Sequence, residues 1–138
     1  MIMMSQQASA RFAVVHWAEK TWDGRPQTEV PGAKQTHAQV GYRYEGDLTG
    51  ESTLHYLMQY NADGSGSFVA LERFTGTLHG KAGSFVFQHV GTFEPVRAAL
   101  TIIPGSATGE LDGLRGTAQI ELAGHAESYP LTLDYHFA

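Results

Sequence analysis

The chain has 138 residues, a mass of 15.0 kDa and no cysteine, which fits one domain with its own core and excludes disulfides, thiolate nucleophiles and zinc–sulfur centres. Its net charge is -5, and its nine Lys and Arg residues are scattered along the chain, which argues against a nucleic-acid partner. No apolar run reaches the roughly 20 residues that span a bilayer, and the start MIMMSQQASARFAVV lacks the parts of a signal peptide; the expectation is a cytoplasmic protein with no membrane partner.

Residues 1–9 read as a flexible N-terminus and residues 10–138 as a single domain. No long 3.6-residue apolar period occurs; short alternating runs are separated by turn residues, the pattern of an all-β sandwich or barrel. The first predicted strand is Arg11–Trp17. The polar stretch TWDGRPQTEVPGAKQ (Thr21–Gln35), rich in Pro and Gly, is expected as a surface loop or lid. Strands Thr36–Asp47 and Glu51–Asn61 follow, linked by GDLTGE. In NADGSG, Asp63-Gly64 supplies the positive φ that a hairpin into Ser65–Leu78 requires. HGKAGS leads to Ser84–Phe93, then come Ala98–Ile103, the glycine-spaced corner PGSATGELDGLRG, and strands Arg115–Leu122 and Leu131–Phe137. Adjacent hairpins make a meander, and eight antiparallel strands close into a barrel without a free edge.

The strand GSFVALERFTGTL carries the most informative conflict. Alternation puts Phe68, Ala70, Glu72 and Phe74 on one face and Val69, Leu71, Arg73 and Thr75 on the other. Both faces are largely apolar, so the strand is covered on both sides, or has a lumen on one and a subunit partner on the other. A charge in either setting needs a partner. A two-residue loop at Gly80-Lys81 puts Glu72 opposite His89 and Phe74 opposite Phe87. A turn at Lys81-Ala82 with Gly83 as a bulge instead puts Arg73 and His89 on one face with Phe85 and Phe87, and it suits Gly83 better.

Three polar residues are candidates for a site. Glu72 serves as an acid, a base or an anchor for a polar ligand end, or else pairs structurally with an Arg, a His or a neighbouring subunit. Arg73 is an anion anchor inside the barrel or an interface ion pair. His89 is a proton shuttle or ligand donor among aromatics, or a core histidine bonded to a carbonyl. Phe74, Phe87 and Tyr56 supply apolar lining, while Trp17, Tyr42, Tyr44 and Tyr60 read as core aromatics or, less often, as pocket lining with the hydroxyl as a handle. The histidines show no metal-ligand spacing and no cofactor motif is present. PGSATGELDG lacks the Lys-Ser/Thr ending of a phosphate loop, and Ser106 lacks a nucleophile elbow.

GSFVALERFTGTLHGKAGSFVFQHVGTFE followed by IIPGSATGELDGLRG resembles a bacterial family of small proteins classed as a domain of unknown function, whose members look like allene oxide cyclase barrels. The likeness covers roughly residues 37 to 137. It implies an eight-stranded antiparallel barrel and a homo-oligomer, and it hands over no activity. The corner glycines Gly105, Gly109, Gly113 and Gly116 shape backbone, and Ala107 departs from the glycine usual there. The function expected is binding of a small apolar or amphipathic ligand in the lumen, with Glu72, Arg73 and His89 as polar contacts. An isomerase or cyclase using Glu72, and a ligand-free oligomeric module, are the alternatives.

Overall fold

A computed structural model of the chain describes residues 5–122 and 124–138. Among them nine strands occur: β1 (Gln6–Thr21), β2 (Lys34–Gly46), β3 (Leu48–Tyr60), β4 (Gly66–Leu78), β5 (Lys81–Phe93), β6 (Val96–Ile102), β7 (Thr108–Gly109), β8 (Leu114–Leu122) and β9 (Tyr129–Phe137). Every pairing is antiparallel, and the ring β1-β2-β3-β4-β5-β6-β8-β9 returns to β1. It is the closed eight-stranded meander that the alternation predicts, with β7 as a short addition to β5 inside the corner segment.

The largest boundary differences are in β1. β1 starts at Gln6 and pairs with β9 from there, so the described part of the segment expected to be flexible is largely in the sheet; residues 1–4 lie outside the described residues. β1 also runs past Trp17 to Thr21. The stretch from Thr21 to Gln35 is largely exposed and includes a 3-10 turn at Gln27–Glu29.

The β4–β5 hairpin turns on His79-Gly80, whose φ values of 46° and 80° are the paired positive angles of a two-residue turn. Gly83 lies in the ladder opposite Gly76, so the bulge expected at Gly83 is absent and Arg73 does not share a face with His89. Glu72 stands opposite Phe87, and Ala70 opposite His89. The two-residue-loop alternative therefore had the faces right, but displaced along the strands.

Glycine makes this wall curve. Gly50, Gly76 and Gly83 form a row across β3, β4 and β5, and the ring of Phe74 lies against it. A Cβ on Gly76 would stand 2.1 Å from the Thr49 carbonyl oxygen and 2.9 Å from that ring, so only glycine permits this approach.

The two ends of the barrel are unlike. At one, the corner segment brings the fully buried Leu111 against Gly83 and buries Ala107 in the core, closing it. At the other, β1 has left β9: their pairing stops at Phe12, and beyond it the β1 ladder is with β2. β8 likewise pairs with β9 only over Leu114–Ala118. The strands splay, and this end is open.

Candidate functional site

The site starts with a buried carboxylate. Glu72 faces the interior from the middle of β4 and is 0% exposed. Tyr44 Oη on β2 and Ser52 Oγ on β3 both donate to its Oε2, each at 2.5 Å. His89 on β5 meets Oε1 through Nε2 at 2.7 Å and is 1% exposed. Alternation and register bring the four together, since each occupies an inward position on one of four consecutive strands. Among the described residues no buried side-chain nitrogen or oxygen lacks a partner. Burial, and then the charge of Glu72, push the Tyr44 hydroxyl well above its ordinary range, so it remains a donor.

A second hydroxyl pair links this network to the open end. Tyr42 and Tyr56 share a hydrogen bond of 2.6 Å. Tyr56 sets its ring edgewise to His89, at 6.0 Å between centroids, and to Phe68 at 5.3 Å. Burial is the chief cause that raises both hydroxyls.

The rim is built by an irregularity. Between Val14 and His16 the β1–β2 register slips by one residue. Before the slip Ala8, Ala10 and Phe12 face inward; after it Trp17, Glu19 and Thr21 do, opposite the buried Val40, Ala38 and Thr36. The bulge thus re-aims a tryptophan and a carboxylate into the mouth. Glu19 accepts from Trp17 Nε1 at 3.1 Å, from Thr36 Oγ1 at 2.7 Å, and from the Tyr60 hydroxyl. Burial, followed by this bond to Glu19, raises the Tyr60 hydroxyl. Trp17 is 48% exposed and leans on Tyr56, with centroids 5.8 Å apart.

Several inward positions near the rim keep some exposure. Below Trp17, inward-facing Tyr56, Met58, Phe68, Ala98 and Ile120 keep 5–8% of their surface, whereas Phe74, Phe85 and Phe87 at greater depth keep none. Glu72 and His89 are sealed, whereas Ser52 of the same network and Tyr42 keep 6%.

Of the residues singled out by the sequence, Glu72, His89, Phe74 and Phe87 meet in the sealed lower interior, and Tyr56 stands above them. Arg73 does not join them. It faces outward and lines an external groove of about 790 Å³ with His16, Glu51, His55 and Leu71. Glu19, Ser52 and Thr36 are not singled out by the sequence, and Trp17 and Tyr44 read there chiefly as core. The one signal for Glu19 is the break in alternation at Val14-Val15. Among the described residues no group of three or more His, Asp or Glu side chains could hold a metal ion.

A family model described as "Protein of unknown function (DUF3224)" matches residues 8–135. The fold is similar to the crystal structure of a protein with unknown function from the DUF3224 family of Shewanella oneidensis MR-1. The TM-score is 0.80 at 28% sequence identity, covering 98% of this chain and 99% of that one. Among curated proteins no match is found.

Proposed function

This chain belongs to the DUF3224 family, and we propose that its barrel receives a small, partly apolar molecule through the open end. Tyr56, Phe68, Met58 and Ile120 form the apolar walls, and the Glu72–His89 network lies beneath as a rigid polar floor. The observation that carries this reading is the β1 bulge, which turns the half-exposed Trp17 and the carboxylate of Glu19 into the mouth above the buried Tyr56. An eight-stranded barrel is just wide enough to be filled by side chains or to hold one small ligand, and here the aromatic filling of Phe74, Phe85 and Phe87 occupies the lower part. Turnover at Glu72 would require its three donors and the aromatic seal to part, so the arrangement favours binding over an isomerase or cyclase.

The neutral fluorophore N-phenyl-1-naphthylamine tests this. Its emission should rise on adding the protein and should not rise with Ala98→Phe, which fills the cleft beside Ile120, while that variant still melts cooperatively. Equal binding to the filled variant overturns the reading.

A second reading concerns the outer surface and is compatible with the first. Leu57, Val69 and Val90 form an outward row across β3, β4 and β5, with Leu71 beside it, and all four are about half exposed. Arg73 and Glu51 flank them on the same face. A patch that is apolar at its centre and carries both signs of charge suits a second copy of the chain.

A further inference from the structure

The ligand's chemical class can be taken further at the rim, on the premise that the open end is a binding cleft. We propose that this cleft selects an organic cation, a protonated amine or quaternary ammonium carried on an apolar body, with Glu19 and the ring of Trp17 as its polar and π contacts.

Three observations converge on this. First, Glu19 is held by three neutral donors, Trp17, Thr36 and Tyr60, and none of the ion pairs among the described residues involves it. Three hydrogen bonds fix the carboxylate and leave its negative charge uncompensated. A partly buried charge of that kind attracts an ion of opposite sign.

Second, the walls around it are aromatic. Trp17 leans on Tyr56, Tyr56 on Phe68, and Tyr60 on Phe93 at 4.8 Å. The negative faces of such rings favour cations and disfavour anions, with tryptophan the strongest of them. Tyr60 already shows the preference: the Lys34 ammonium lies 4.8 Å over its ring. That ammonium is tied to the carbonyls of Gln27 and Val30 at 2.8 and 2.7 Å. Its bonds go to the loop and leave Glu19 to a ligand.

Third, the cationic side chain at this mouth, Lys34, already directs its ammonium to two carbonyls and the Tyr60 ring, which leaves it poorly placed to anchor an anion. Arg73, the candidate for that task, is outside the barrel. The Glu72 carboxylate below is paired with His89 and adds no cation free to meet an anion, and the chain carries a net charge of -5. The β1 bulge explains why the site exists: without the slip at Val14/His16, Ala18 and Lys20 would face inward in place of Trp17 and Glu19.

Three probes of one shape separate the possibilities: benzyltrimethylammonium, its uncharged isostere neopentylbenzene, and the anion phenylacetate. Trp22→Phe leaves Trp17 as the sole tryptophan, so its fluorescence, together with the Nε1–H resonance, reports binding at the rim. The cation should bind most tightly and weaken as salt is raised. Glu19→Gln should weaken the cation about tenfold, the loss of one partly screened charge contact, and leave the neutral probe unchanged. Wild-type selectivity answers the question even if Glu19→Gln is poorly folded. Neutral or anionic probes binding as tightly as the cation overturns this inference and leaves the cleft standing. No response from any of the three overturns both.

Discussion

Glu72 is surrounded by groups that can only be satisfied together. Its three donors come from three other strands, so the network works as a peg through β2, β3, β4 and β5. A buried hydrogen-bonded charge stabilises little by itself, whereas taking away one partner leaves the rest exposed to the full desolvation cost. His89→Phe should therefore destabilise the protein by ~3–5 kcal/mol, read as a lower midpoint in urea. Adding Glu72→Leu to that variant removes the stranded carboxylate and should recover part of the loss, despite deleting more native contacts. A double variant less stable than His89→Phe alone would show that no uncompensated charge is at stake. At the rim the corresponding carboxylate of Glu19 is held by neutral donors alone, which is the difference on which its proposed role as a ligand contact rests.

Elements differ in how far their sequences betray them, and β1 and β4 mark the extremes. In β4 strict alternation from Gly66 to Phe74 sorts Glu72 inward and Arg73 outward once the register is known. The register hung on the hairpin, where two glycines competed as turn residues; His79, a non-glycine at positive φ, took a place that composition gives to Gly or Asn. In β1 the bulge at Val14/His16 reverses the faces halfway along, and no turn residue announces it, so Trp17 and Glu19 could not be assigned to the mouth. The reason His79 is held there lies between elements. Asp47, in the β2–β3 turn, accepts from the Ser9 N–H of β1 at 2.8 Å, and its carboxylate lies 3.3 Å from His79 Nε2. The Ser9 N–H first, and His79 as a lesser cause, hold the Asp47 carboxyl below its ordinary 3.8. A depressed folded value means the clamp contributes fully above pH 3.8 and is lost as pH falls through the lower folded value. Asp47→Asn should be less stable than wild type near neutral pH, yet lose less on acidification from about pH 5 to about pH 2, because it has no such proton to take up. Parallel acid-unfolding curves for the two proteins would remove Asp47 from the account.

For the molecule as a whole, the wall β3–β5 has two working faces. Its inner face carries Tyr56, Glu72 and His89, and its outer face carries Leu57, Val69, Leu71 and Val90. A strand with one solvated face has little reason to place four large aliphatic side chains, each about half exposed, in adjoining outward positions. Covering that face with a second copy explains why both sides of β4 read as apolar, and it would stiffen the wall behind the cleft. Light scattering on the eluting protein at micromolar concentration should then give a mass that is a multiple of 15.0 kDa. Val69→Lys, central to the row between Leu57 and Val90, should shift it to a single chain. The same variant should melt within about 0.5 kcal/mol of the isolated wild-type fold, because the side chain points away from the core. Wild type eluting as one chain across that range would leave the outer face without a partner. A Val69→Lys protein that stays assembled would move the contact elsewhere, with the unpaired edge of β1 beyond Phe12 the next surface to probe.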